Sequence, residues 1–136
     1  MKYMVTILLL TICSLLKAPE YRTLYISESS GINPLEQLFK AICTVESDNN
    51  PNALNRKELA YGVCQIRYIR LHDFNKRTGS HYVLKDMYDP WLSKKIFLWY
   101  AHQGSDLETI AKKWNGSGRK TEQYWQKVEK HLNTTK

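Results

Sequence analysis

Asn33-Pro34-Leu35-Glu36-Gln37-Leu38-Phe39-Lys40-Ala41-Ile42-Cys43-Thr44-Val45-Glu46-Ser47, followed by Asp48-Asn49-Asn50-Pro51-Asn52, is the stretch from which the fold is read. Asn33 is a favourable N-cap, Pro34 suits the first helical position, and Glu36 completes a capping-box pattern, so a helix from about Pro34 to Ser47 is predicted. The Asp-Asn-Asn-Pro-Asn cluster halts it and leaves its C-terminal end at a surface. At about 100° per residue, Leu35, Leu38, Phe39, Ile42 and Val45 share one face, and Glu46 falls on it about 20° from Phe39. A carboxyl there is disfavoured in its charged form, which is how the acids of glycosidases reach a pKa of roughly 6. Glu46 is therefore a candidate proton donor. A helix-end glutamate leaning out to solvent is the plain alternative.

Further along, Tyr61-Gly62-Val63-Cys64-Gln65-Ile66 is an apolar run in which Gly62 permits close backbone approach and Gln65 adds an amide, leading into a helix through Phe74. Thr78-Gly79-Ser80 breaks the chain. Asp89-Pro90 repeats the cap-plus-proline signal for a helix from Pro90 to Gln103, packed by Trp91, Leu98 and Ala101, with Gly104 as its stop. Ser105 with Glu108 forms another capping-box pattern and opens a short helix that turns Leu107, Ile110, Ala111 and Trp114 inward. That helix closes at Asn115-Gly116-Ser117-Gly118. A last helix from about Thr121 to Leu132 presents Tyr124, Trp125, Val128 and Leu132. No strand-like alternation of any length and no repeat interrupts the series, so the class is all-α with at most a minor β element.

The chain has 136 residues, 43% hydrophobic and 12% aromatic, which suits a single compact domain and excludes disorder. Its net charge of +7 is spread along the chain and points to an acidic or polymeric partner: nucleic acid, anionic lipid or the anionic polymers of a bacterial wall. No helix-turn-helix spacing, RNP motif or basic arm supports nucleic acid. His72, His81, His102 and His131 are scattered, and no CxxC pair or Cys/His cluster has zinc spacing, so no metal is expected. Lys2 followed by the apolar run Met4 to Leu16 reads as an export signal, too short to span a bilayer comfortably. Ala18 is the best small residue for cleavage, yet Pro19 follows it and Leu16 is bulky. Residues 1–18 are accordingly a signal peptide or a short anchor, with a buried N-terminal helix as the alternative. Residues 19–32 read as a linker and 33–136 as the folded domain. Export to the periplasm or cell envelope permits a disulfide between Cys43 and Cys64, with two buried thiols as the other reading.

Glu46-Ser47, then Asn50-Pro51 with Ala53 and Asn55, then Gly62 with Gln65-Ile66, then Trp114-Asn115-Gly116, then Tyr124 with Val128, stand in one order along the chain. Together they resemble the catalytic domain of the soluble lytic murein transglycosylases, relatives of goose-type lysozyme, from about Leu35 to Leu132. The resemblance implies a lysozyme-like α fold with a cleft and cleavage of the β-1,4 bond between N-acetylmuramic acid (MurNAc) and N-acetylglucosamine (GlcNAc) in peptidoglycan. It implies that Glu46 is the catalytic acid/base and that Ser47 supports the acid and the bound sugar. By the same resemblance Gln65 lines the cleft beside the scissile bond, Asn115 binds the N-acetyl sugar, and the Tyr124 hydroxyl holds the glutamate. Trp114 stands where the family usually has tyrosine and Cys64 where it usually has methionine. Both keep apolar or aromatic character, so they bear on substrate detail more than on activity.

Common glycosidases use two carboxyl groups, about 5 Å apart in retaining enzymes and about 6.5 to 9.5 Å apart in inverting ones. Asp48 lies about 200° round the helix from Glu46 and points away. Nothing around Asp73, Asp86 or Asp89 marks a partner. A single-acid route fits this better: Glu46 protonates the glycosidic oxygen, the substrate's N-acetyl group stabilises the cationic centre, and Glu46 then takes the proton of the MurNAc C6 hydroxyl as it attacks C1. The product is a 1,6-anhydro end, and no cofactor is required. A hydrolytic muramidase on the same fold and an inactive peptidoglycan-binding accessory protein are the alternatives. A small monomer acting on glycan strands suggests, by analogy, local wall opening for an envelope-spanning secretion, conjugation or phage machine.

Overall fold

The computed structural model describes residues 33–133. The expected signal or anchor at 1–18, the linker at 19–32 and the last three residues lie outside the described residues. Helix α1 spans Pro34–Ser47, with Asn33 Oδ1 accepting from the Leu35 amide at 3.0 Å. The expected capping box does not form, because Asn33 Oδ1 takes the Leu35 amide rather than that of Glu36, and the Glu36 carboxylate turns to Lys94 Nζ at 2.6 Å. Asp48 and Asn49, at φ 54° and 59°, both enter the left-handed region that Asp and Asn tolerate best. Their amides close on the Thr44 and Cys43 carbonyls, and the helix stops directly after Glu46-Ser47.

The chain next forms a small antiparallel meander of β1 (Leu54–Asn55), β2 (Ala60–Tyr61) and β3 (Ile66–Arg67). Leu54 faces Tyr61 in the first pair, and Tyr61 faces Ile66 in the second. Strands of two residues leave no alternation to detect. Helix α2 (Tyr68–Thr78) follows and is stopped by Gly79 at φ 70°. A 3₁₀ turn at Leu84–Tyr88 precedes α3 (Pro90–Ala101), which Asp89 caps through the Trp91 amide at 2.8 Å and which ends two residues before Gln103. The core face of α3 is Leu92, Ile96, Phe97 and Ala101, whereas Trp91, expected to pack it, is 68% exposed. Trp91 lies in the first turn, one step of about 100° away from Leu92. Helix α4 (Leu107–Asn115) is capped by Asp106, whose Oδ1 accepts from the Thr109 amide at 2.8 Å while Ser105 donates to its Oδ2. The expected box of Ser105 with Glu108 therefore does not form; Glu108 pairs with Lys112. Helix α5 spans Lys120–Asn133.

Helix α1 is the hub, in contact with α3, α4 and α5. Leu38 and Ile42 of α1, Phe97 of α3 and Val128 of α5 are fully buried in one core. Each contributes roughly 1.5–3 kcal/mol, so packing rather than helix propensity holds α1 in place. The result is a mostly α fold of lysozyme-like type carrying a minor sheet.

Gly62 fixes the turn before β3. Its φ is +75°, and a Cβ built there would sit 1.8 Å from the Met87 carbonyl oxygen. Gly62→Ala is expected to cost about 3 kcal/mol or more, from strain at positive φ plus the backbone clash. Urea unfolding measures this, and an unshifted midpoint would refute the close packing of the turn on the 3₁₀ segment.

Candidate active site

Glu46 lies in the last turn of α1, half-buried, and its Oε1 accepts a hydrogen bond from Tyr124 Oη at 2.7 Å. Tyr124 comes from the second turn of α5 and is itself buried, with Val128 one turn further on anchoring the same face. Burial, chiefly, pushes the Glu46 carboxyl above its ordinary 4.5; the Tyr124 hydrogen bond and the charges of Arg67 and Arg70 act against this, and Glu58 acts with it. The negative end of the α1 dipole also opposes a carboxylate here. Burial likewise lifts the Tyr124 phenol far above its usual range, so it stays protonated as a donor.

A pocket of about 180 Å³ opens beside Glu46, bounded by Gln65, Arg67, Arg70 and Asn115, with Asn55 and Glu58 on the hairpin side. It shares Arg67, Arg70, Trp114 and Asn115 with a wider cavity of about 630 Å³. Gln65 sits at φ 51°, a left-handed conformation with a real cost for this residue type, and its Nε2 donates to the Gly62 carbonyl at 2.9 Å. The amide is thus fixed by the Gly62 turn. Asn115 ends α4, with its carbonyl near Arg67 Nη2 at 3.5 Å. Ser47 is placed differently: its Oγ donates to the Val63 carbonyl at 2.8 Å and tethers the end of α1 to the Gln65 turn. It is not among the residues bounding the pocket. Of the sequence-derived set, Glu46, Gln65 and Asn115 therefore share the pocket, Tyr124 supports Glu46 from within the core, and Ser47 stands behind.

Two cations and one acid complete the pocket without having been singled out by their sequence context. Arg70 lies 4.0 Å from the Trp114 ring centroid and donates from Nη2 to the Trp114 carbonyl at 2.6 Å, a cation on the carbonyl end of α4. It joins α2 to α4 at the level of the pocket. Arg67 pairs with Glu58 at 3.6 Å, and Glu58 is the second carboxylate beside Glu46. The acids weighed from the sequence are committed elsewhere: Asp73 accepts from Tyr100 and Arg77, Asp86 from the Val83 amide, and Asp89 caps α3. The spacing of Arg67 and Arg70, one turn apart at the start of a helix, was the available signal for the cations. Cys43 and Cys64 are buried thiols with their sulfurs 3.2 Å apart, and burial first, then its Cys43 neighbour, holds the Cys64 thiol well above its ordinary range. Among the described residues no group of three or more His, Cys, Asp or Glu side chains is arranged to hold a metal ion.

The family model for the transglycosylase SLT domain matches residues 24–129, most of the chain. The chain belongs to the transglycosylase SLT domain family. No curated protein and no solved structure matches it. SLT domains act on peptidoglycan, which places the work of this one outside the cytoplasmic membrane. Among the described residues, no helix is long and apolar enough to cross a membrane.

A raised carboxyl pKa makes a definite stability prediction. The folded SLT domain binds the Glu46 proton more tightly than the unfolded chain, so ionisation costs stability as pH rises from the unfolded value near 4.5 through the higher folded one. Glu46→Gln cannot ionise. Its stability relative to wild type is expected to improve between about pH 4 and about pH 8 in urea melts of both proteins. A pH-independent difference would contradict a buried, proton-holding Glu46.

Proposed function

We propose that the protein is a peptidoglycan lytic transglycosylase that cleaves the MurNAc–GlcNAc β-1,4 bond with Glu46 as its acid/base. The observation that carries this reading is the Tyr124–Glu46 hydrogen bond at 2.7 Å, set at the wall of a pocket that also holds Gln65 and Asn115. Glu46, favoured as the neutral acid, protonates the leaving GlcNAc oxygen. The substrate's own N-acetyl group stabilises the cationic C1, with Asn115 and Gln65 as the amides placed to orient the sugar. The Glu46 carboxylate, steadied by Tyr124 and by the charges of Arg67 and Arg70, then takes the C6 hydroxyl proton as that oxygen closes on C1. The proton received equals the proton given, and a 1,6-anhydro-MurNAc end results.

One observation favours a second reading. Glu58 borders the same pocket, and a second carboxylate positioned to activate water makes a hydrolytic muramidase. Digestion of purified sacculi followed by mass spectrometry separates the two. Anhydro-muropeptides are expected from wild type and from Glu58→Gln alike, whereas reducing ends lost in Glu58→Gln would establish hydrolysis. Glu46→Gln is expected to lower turnover by about 10³-fold, and Tyr124→Phe by about 10-fold, the difference between losing the proton carrier and losing one hydrogen bond to it.

A further inference from the structure

A second groove, of about 570 Å³, runs between the outer face of α3 and the C-terminal end of α2. Along α3 it is bordered by Trp91, Lys94, Lys95, Leu98 and His102, the one-face spacing of a helical stripe. Trp91 is 68% exposed, an indole left in water at a cost that a packed surface normally avoids. A second indole, Trp99, forms the inner wall and is held edge-on against Phe74 at 5.5 Å and Tyr100 at 4.8 Å. The inner wall is therefore packed from behind. Among the described residues no carboxylate borders the groove, which carries Lys94, Lys95 and His102, with the hydroxyls of Thr78 and Ser80 on the opposite rim. Lys94 is neutralised by Glu36, but Lys95 is held by a hydroxyl, Tyr82 Oη at 3.0 Å, with its ammonium 5.8 Å from the Trp91 ring centroid. Among the described residues no acid pairs with that ammonium, which leaves it within reach of a ligand.

We propose that this groove is a second glycan-binding site, which takes an N-acetylated, carboxylate-bearing strand of peptidoglycan while Glu46 cuts elsewhere on the polymer. The identity of the strand rests on the proposed function above; the chemistry of the site is read from the groove. A flat indole matches the C–H face of a pyranose ring, hydroxyls and the His102 imidazole match sugar hydroxyls and amides, and the Lys95 ammonium matches carboxylates of the lactyl and peptide substituents. A purely apolar protein partner would leave the Lys95 ammonium facing it without a counter-charge. The groove is distinct from the cleavage pocket. Lys94 ties it to Glu36 in the first turn of α1, and Glu46 lies ten residues further on, about 15 Å along the helix axis. Two sites on one rigid body bind a repeating polymer more tightly than either alone.

Sedimentation with purified sacculi tests this, using the full chain carrying Glu46→Gln so that binding is seen without digestion. Adding Trp91→Ala or Lys95→Glu is expected to weaken binding by about tenfold, and Trp91→Phe to restore most of it. In the otherwise wild-type protein, Trp91→Ala is expected to leave kcat/KM on a soluble two-disaccharide muropeptide within about twofold, because a short fragment engages only the Glu46 pocket. Sacculus binding unchanged by both substitutions, which would leave the groove to a protein partner, overturns the proposal, as does an equal loss of kcat/KM on the short fragment. If wild type releases no cleaved product while sacculus binding still depends on Trp91, the catalytic reading fails and the groove stands.

Discussion

A carboxylic acid serves as a proton donor near neutral pH only where its surroundings make ionisation costly, and only if substrate can still reach it. At the end of α1, burial raises the Glu46 carboxyl above its ordinary 4.5 while a pocket opens beside it. The helix carries it on the face that packs into the core, beyond Leu38 and Ile42, and the two left-handed residues Asp48 and Asn49 end the helix one residue past Ser47. Shifted one turn earlier, the side chain would be sealed in the core; one turn later, it would be fully hydrated. The single phenol of Tyr124 tempers the cost of the charged form without removing it.

The rest of the architecture keeps that carboxyl facing a pocket. Val128 seats α5 so that Tyr124 reaches Glu46, and Arg70 joins α2 to the end of α4 so that Asn115 borders the same space. The Gln65 turn is held from three directions: Ser47 grips Val63, Gly62 lies against Met87, and the Gln65 amide folds back on Gly62. Ser47 thus contributes by fixing the backbone that carries a neighbour. Its hydroxyl is spent on a carbonyl, a role that its adjacency to Glu46 in sequence does not reveal.

Much of this was legible because it is encoded locally. Asn33-Pro34 and Asp89-Pro90 start their helices where the cap-plus-proline pattern puts them, and the Asp-Asn run ends α1 where it should. The order of Glu46, Gln65, Asn115 and Tyr124 was legible too, through resemblance, and three of the four border one pocket. What escaped depends on distance through space. Glu36 abandons its capping box for Lys94, 58 residues away, and Asp106 outcompetes Ser105 for the start of α4 because its carboxylate reaches the Thr109 amide. The meander was invisible because its strands are two residues long. Glu58, Arg67 and Arg70 look like ordinary surface charges until the hairpin and α2 bring them to the acid. By residue type Trp91 belongs in the core, yet its neighbour Leu92 holds that place.

The guanidinium of Arg70 has a consequence that reaches past its own contacts. One planar group is clasped by the Trp114 ring and carbonyl while its charge is felt at Glu46. The joint between α2 and α4 and the electrostatic setting of Glu46 therefore rest on the same guanidinium, so that loosening one alters the other.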